Sequence, residues 1–349
     1  MNTKMFIDAN LKPVLAKLFT QAQFALEFPK YRHSADLIFK VGKIPFAAEI
    51  LLSRSSAHFN EKIGRLQAYA APGTMIPVLI APAISPQRQE MLKKKGICFM
   101  DTIGNTWIKA PGIYIDRISK ERNVLRGEEI YNPFSDKSSL ILRIMMESPE
   151  KYWGNNEIAQ KAGINAGWVS QVCHRLEELR YVARSGDRRL KIVRPQDILN
   201  DWVEFYRQKK QKMHYFYYPT DDLRNIMERL KTHPFLKKHK WAYSYHAGAS
   251  LAAPHAKFRE VHAYVDGLAA HIETWKNESG LVGSQRGENN LVLIDPYYKT
   301  SYCYGIQRIK DFPVVSDIQL YLDLKTYPIR GEEQAQHLFE KRIAPKWRI

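Results

Sequence analysis

Apolar and polar residues follow two different rhythms along this chain, and the change of rhythm divides it. Before residue 125 the apolar runs are short and end in Gly or Pro. "ADLIFKV" and "IPFAAEILLS" meet at Val41-Gly42-Lys43, and "TMIPVLIAP", "GICFMD" and "GNTWIKAPGIYI" follow. Such runs, bounded by turn residues, predict strands. Between them residues 57–69 and 86–95 repeat apolar positions at helical spacing, with Ser85 placed to cap the second helix and Gly96 to stop it. Residues 1–125 therefore read as an α/β domain. The stretch "SKERNVLRGEEIYNPFSDKS" has no apolar period and reads as a connection.

From 136 to 195 the period becomes helical. Residues 138–147 align Leu140, Ile141, Ile144 and Met145 on one stripe, and the helix ends at a Ser-Pro. A second helix, capped by Asn155 or Asn156, repeats Ile158, Ala159 and Ala162 and stops at Gly163. Ile164 is the apolar plug of the turn. Asn165 then caps a third helix whose buried face is Val169, Val172, Leu176 and Leu179. That choice fixes the opposite face as Gly167, Ser170, Gln171, His174 and Arg175. Trp168, beside the turn, is either a partial core residue or a base-stacking one. "YVARS" and "RRLKIV" close around Gly186-Asp187 into a hairpin with Arg184, Arg188 and Arg189 near its tip. Over about 60 residues the pattern resembles the winged helix-turn-helix of bacterial transcription regulators, in which the third helix enters the major groove and the hairpin lies along phosphates.

Beyond 196 strand and helix patterns mix again. "PQDILNDWVEFYRQKKQKMHYFYYP" reads as a helix running into an aromatic strand, and a helix over 332–342 closes the chain. The predicted fold class is α+β multidomain: an α/β domain over 1–125, a winged helix-turn-helix over 136–195 and an α+β domain over 196–349.

Composition narrows the partners. Fifty-three Lys and Arg against thirty-six Asp and Glu give a formal charge of +17 in 349 residues. Positive residues crowd between Arg175 and Lys240, the balance of a protein that meets a polyanion, with nucleic acid as the leading candidate over a merely solubilising surface; taken with the resemblance to winged helix-turn-helix regulators, the expected partner is double-stranded DNA at an operator. No apolar run reaches the ~18–20 residues of a membrane span, and the start carries no secretory signal, so the expected location is cytoplasmic. Cys98, Cys173 and Cys303 are scattered and odd in number, which suits reduced thiols and offers neither a disulfide framework nor a metal motif. Neither a cofactor nor a metal is expected. With no heptad seam in sight, the expected oligomeric state is a monomer that binds repeated half-sites.

Asp36 at a strand start and Glu49 on the next strand, with Gln67 and Tyr69 on the helix after them, resemble the restriction-endonuclease fold. That chemistry needs two carboxylates for Mg²⁺ and a lysine two residues past the second. The lysine position is Leu51 here, with Lys40 and Lys43 as substitutes on the adjoining strand. The expectation is a degenerate scaffold rather than an enzyme, with a metal-dependent nuclease and a protein-binding adaptor as alternatives. The segment "PVLIAPAISPQRQEMLKKKGICFMDTIGNTWIKAPGIYI", then "VHAYVD", "NNLVLIDPY" and above all "VVSDIQLYLDLKTYPIRGEEQAQHLFEKRI" resemble the AbiEi family of antitoxin-type regulators from type IV toxin–antitoxin and abortive-infection systems. The last segment carries the likeness through Gln319, Tyr321, Asp323, Leu324, Pro328, Arg330, Gly331 and Glu333. About 135 residues precede the helix-turn-helix, where family members of the usual size begin with it. The resemblance implies repression of the protein's own operon and a nucleotidyltransferase-like toxin as partner. From the residues alone, "YLDLKTYPIRG" reads equally as a structural clamp on the final helix, and His246–Ser250 as a core turn.

Overall fold

Parallel strand pairs need a crossover, and two described helices of the N-terminal unit supply it. The computed structural model describes residues 24–27 (backbone), 35–52, 56–69, 75–119, 131–281, 283–285 and 287–347, so the opening stretch and most of the charged connection lie outside the described residues. The chain forms two units, Met1–Glu128 and Glu129–Ile349. In the first, seven strands lie side by side in chain order: β1 (Phe24–Glu27), β2 (Leu37–Val41), β3 (Ile44–Ile50), β4 (Ile76–Ala81), β5 (Cys98–Asp101), β6 (Thr106–Ala110) and β7 (Ile113–Arg117). Helix α1 (Ser56–Tyr69) joins β3 to β4 and α2 (Pro86–Lys94) joins β4 to β5, and these two pairs are the parallel ones. Central β3, β4 and β5 are buried along most of their length, which explains their unbroken apolar runs. Phe39 and Phe46, opposite each other on β2 and β3, stack at 4.8 Å. Ser85 caps α2 through the Arg88 N–H, and Gly96 turns the chain beyond it with φ of 67°.

The second unit opens with α3 (Asp136–Glu147), α4 (Asn155–Ala162) and α5 (Ala166–Glu178), followed by a hairpin of β8 (Val182–Arg184) and β9 (Leu190–Ile192). Gly163 ends α4 in the left-handed region at φ 65°. The Asn165 side chain accepts the Trp168 N–H at 2.7 Å and caps α5. The expected cap of α4 by Asn155 or Asn156 is corrected: Gly154 holds the cap position with extended backbone, and Asn155 is already helical. Trp153 pairs with Leu190 and adds a third, one-residue edge to the hairpin. Helix α6 (Pro195–Arg207) leads into β10 (Lys212–Phe216), the edge of a six-stranded sheet. The sheet also contains β11 (Trp241–Ser244), β12 (Val261–Val265), β13 (Leu291–Asp295), β14 (Gln307–Ile309) and β15 (Phe312–Val314), in the order β10-β13-β12-β11-β15-β14.

Helices α7 (Leu223–Thr232), α8 (Pro234–Lys237), α9 (Tyr245–Ala252), α10 (Ile272–Ser279), α11 (Asp317–Thr326) and α12 (Gly331–Leu338) pack with this sheet. The closing helix starts one residue before the expected 332 and does not run straight on. It passes through a π-helical turn, Phe339–Ile343, into α13 (Ala344–Trp347). His246–Ser250, expected as a turn, lies inside α9, where Gly248 lets the helix approach α11: a Cβ there would stand 2.7 Å from Leu320 Cδ2. One hydrophobic core runs from Phe134 to Trp347, so the segments read separately as 136–195 and 196–349 share it. No described helix is long and apolar enough to cross a membrane.

Candidate nucleic-acid interface and an internally neutralised carboxylate pair

Helix α5 has one dry face and one wet one. Val169, Val172, Cys173 and Leu176 are fully buried, whereas Gly167, Ser170, Gln171 and His174 are exposed and Arg175 half-buried. The apolar spacing thus fixed the outward face as expected. Asn165, at the head of the helix, is exposed but spends its side-chain oxygen on the cap. Trp168 turns inward: its Nε1 donates to Ser138 Oγ at 3.2 Å, its ring meets Tyr131 edge-on at 5.0 Å, and Lys137 Nζ lies 4.4 Å from its centre. It is a clasp between α5 and α3.

Several cations of this candidate surface already have carboxylate partners. Arg175 Nη1 lies 2.8 Å from Glu178, and His174 Nε2 lies 3.5 Å from the same group. Arg184 grips Glu177 through Nε at 2.7 Å and through Nη2, and donates from Nη1 to the Arg188 carbonyl. Glu177 is held below its usual carboxylate range by that hydrogen bond. Arg184 is therefore a brace between helix and hairpin as well as a surface cation. Arg188 and Arg189 stand exposed at the tip; Arg188 sits in the left-handed region at φ 65°, and Arg189 is loosely paired with Asp187 at 3.4 Å. Glu177, seven residues before Arg184, carried no signal in the sequence, because helix and strand meet only once the hairpin folds back.

Helix α3 is fastened to the sheet domain by a buried polar network. Arg143 Nη2 donates to Gln319 Oε1 at 2.6 Å, and Gln319 Nε2 donates to Asp323 Oδ1 at 2.9 Å. Asp323, fully buried, also accepts from Tyr206 and Tyr264 at 2.8 Å each and from Ser244. Burial raises its carboxyl to about 6 against the pull of these donors. Ser139 Oγ bonds Ser301 Oγ at 2.8 Å, and Trp347 Nε1 donates to the Met146 carbonyl at 3.0 Å. Gln319, Tyr321, Asp323, Leu324 and Gly331 are all buried, which is the clamp reading of that segment; Arg330 is exposed and pairs with Glu333. Arg143 was not singled out in the sequence. A lone Arg in an apolar helical stripe was its only trace.

In the N-terminal unit the structure brings Asp36 and Glu49 together, as the strand spacing implied, and adds a lysine from elsewhere. Lys62 Nζ, on α1, bridges Asp36 Oδ2 and Glu49 Oε2, the second contact at 2.7 Å, and Arg65 Nη2 lies 3.0 Å from Glu49 Oε1. Asp36 Oδ2 also accepts the Ile50 N–H at 2.8 Å. Leu51, at the usual lysine position, is buried, Lys43 is exposed in the turn, and Gln67 faces outward. Burial raises the Glu49 carboxyl to about 7 despite Lys62. Two carboxylates face two cations, which leaves no surplus negative charge to hold a divalent ion. A divalent ion would have to displace Lys62 and would meet Arg65. Among the described residues no group of three or more His, Cys, Asp or Glu is placed to hold a metal ion.

Comparison with known proteins found no matching curated protein and no matching solved structure. A family comparison found a similarity that covers the sheet domain. It begins within β9, so α3, α4 and α5 lie outside it. Residues 191–344 match the family described as transcriptional regulator, AbiEi antitoxin, of type IV toxin–antitoxin systems.

Proposed function

We propose that the chain is a sequence-specific DNA-binding regulator of the antitoxin type that represses its own operon. Residues 136–195 act as a winged helix-turn-helix on double-stranded DNA, and the sheet domain carries the family's regulatory role, with a nucleotidyltransferase-like toxin as its protein partner. The observation that carries this reading is the outward face of α5, where Ser170, Gln171 and His174 are exposed opposite a fully buried apolar face, beside a hairpin tipped by Arg188 and Arg189. Ser170 and Gln171 have the donors and acceptors to read base edges, and the tip arginines meet phosphates.

The test is binding of the full chain to DNA from upstream of its own gene and to random DNA across a salt series. Removing one arginine that neutralises a phosphate should reduce the slope of log K against log salt by about 0.9. Arg188→Ala and Arg189→Ala should flatten it. Gln171→Ala should weaken the specific site by about 1–3 kcal/mol and leave the slope nearly unchanged. Equal weakening on specific and random DNA would remove α5 from the groove.

A second reading, DNA cleavage by Asp36 and Glu49, has one observation in its favour, the closeness of the two carboxylates. Lys62 and Arg65 neutralise that pair, which favours a scaffold. Supercoiled plasmid with Mg²⁺ or Mn²⁺ should stay intact. Cutting that Glu49→Ala abolishes would establish the enzyme instead.

A further inference from the structure

A strand at the border of a sheet carries N–H and C=O groups that another strand can pair with, and chains blunt such borders with proline, lysine, a bulge or a covering segment. The six-stranded sheet treats both of its borders in this way. On β10, Phe216 is bridged to Gly283 and the Tyr215 carbonyl accepts the Ser284 N–H; β14 is three residues long, carries Arg308 and runs into Lys310. The border strand β7 of the Met1–Glu128 unit has none of these devices. Its sequence, IYIDR, holds neither proline nor lysine, it pairs with β6 through all five residues without a bulge, and among the described residues no strand lies beyond it. Tyr114 on β7 and Ile118 just after it are each 69% exposed, the most exposed large apolar side chains among the described residues.

The order of residues on β7 suits a second copy of itself. Antiparallel pairing about Ile115 sets Tyr114 opposite the partner's Asp116, and Ile113 opposite the partner's Arg117. Ile115 then meets the partner's Ile115 and carries the Ile108–Ile115 row of β6 and β7 across the junction. No like charges face each other. Lys93 lies 3.0 Å from Asp116 and offsets its charge, and Lys109, opposite Tyr114 on β6, adds a cation on the side where the partner's Asp116 arrives. Neighbouring registers are worse. An axis at Asp116 would set two carboxylates face to face, and an axis at Tyr114 would bring Pro111, which has no N–H to give, into the ladder.

We propose that two copies of this chain associate through β7, paired antiparallel about Ile115 into one continuous sheet. The contact is two-fold and uses up the edge, so it closes at the dimer. It needs no heptad seam, whose lack led to the expectation of a monomer. A dimer would present two helix-turn-helices to two half-sites. That consequence rests on the DNA-binding reading; the pairing does not.

The experiment is sedimentation velocity of the full chain without DNA over a concentration series, with hydrogen exchange on the same samples. The mass should rise from one chain toward two, and exchange in residues 113–117 should slow in step. Tyr114→Asp places like charges opposite each other twice and should raise the dimer dissociation constant by about tenfold or more, whereas Tyr114→Lys, facing the same carboxylate, should stay within about threefold of wild type. If Tyr114→Asp does not fold, the concentration dependence of exchange in the wild type decides alone. A single-chain mass at every concentration would overturn the proposal, whether 113–117 exchanges freely or is protected throughout by the chain's own segments. So would a dimer that leaves exchange in 113–117 unchanged, or one that the Asp and Lys variants weaken equally.

Discussion

Replacing Lys62 by Met takes away one of the two cations facing Glu49 and leaves Arg65, 3.0 Å from Oε1. Breaking a buried ion pair commonly costs about 3–5 kcal/mol, because an uncompensated charge stays behind. At pH 7 the loss here should be smaller, since Glu49 has an escape. Burial already raises its carboxyl from 4.5 to about 7, so near neutrality it is about half protonated. Keeping it neutral at pH 7 costs about 3 kcal/mol relative to the unfolded chain, and the wild type already carries most of that. The variant adds little from Glu49 at this pH, plus the pairing with partly exposed Asp36, worth about 0.5–1 kcal/mol after solvent screening. The expected loss at pH 7 is thus about 1 kcal/mol.

Raising the pH changes the answer. A carboxyl whose folded pKa is raised contributes stability at low pH and loses it as pH climbs through the folded value. In the wild type that decline ends near pH 7; without Lys62 it continues at ~1.36 kcal/mol per unit, and the deficit should reach about 3 kcal/mol at pH 9. Urea denaturation of the full chain followed by pulse proteolysis reports the two units separately. A deficit of equal size at pH 7 and pH 9, or none at either, would show that Lys62 is not the counter-ion of Glu49.

The other predictions concern the second unit. A Cβ at Gly331 would collide with the Leu324 carbonyl and stand 3.0 Å from Tyr327 Cβ, so Gly331→Ala should lower stability by about 1–3 kcal/mol in urea, whereas Gly186→Ala, with open space around it, should lie within about 0.5 kcal/mol of wild type. Arg188 holds a left-handed conformation that glycine adopts freely, so Arg188→Gly should stabilise the unit by up to about 1 kcal/mol while flattening the salt dependence of DNA binding; a drop in both would mean the turn needs the side chain. Burial lowers the His262 imidazole from 6.5 to about 4. A neutral histidine of this kind supports the fold above its unfolded value, and the support disappears as pH falls through 6.5 toward 4. Between pH 7 and pH 5 the wild type should therefore lose about 2 kcal/mol that His262→Gln does not lose, read from urea midpoints at the two pH values.

Local pattern was enough for a good part of this protein. Spacing of three and four placed Val169, Val172 and Leu176 inside, and thereby Ser170, Gln171 and His174 outside, because a helix has one period and a water boundary selects one phase of it. Asn165, Gly163, Ser85 and Gly96 announced their caps and stops, since those tasks depend on a few neighbouring backbone groups. Asp36 and Glu49 could be read as neighbours because adjacent antiparallel strands fix register over short distances.

What local pattern could not decide was which charges meet. Lys62 reaches the carboxylates from a helix thirteen residues after Glu49, and Glu177 takes Arg184 only after the hairpin returns to α5. The same holds for Arg143, whose hydrogen-bond partner Gln319 lies 176 residues away. Periodicity records the free energy of leaving water, which each residue expresses alone. An ion pair or a buried hydrogen bond depends on the distance between two groups far apart in the chain, and only the packed fold sets that distance.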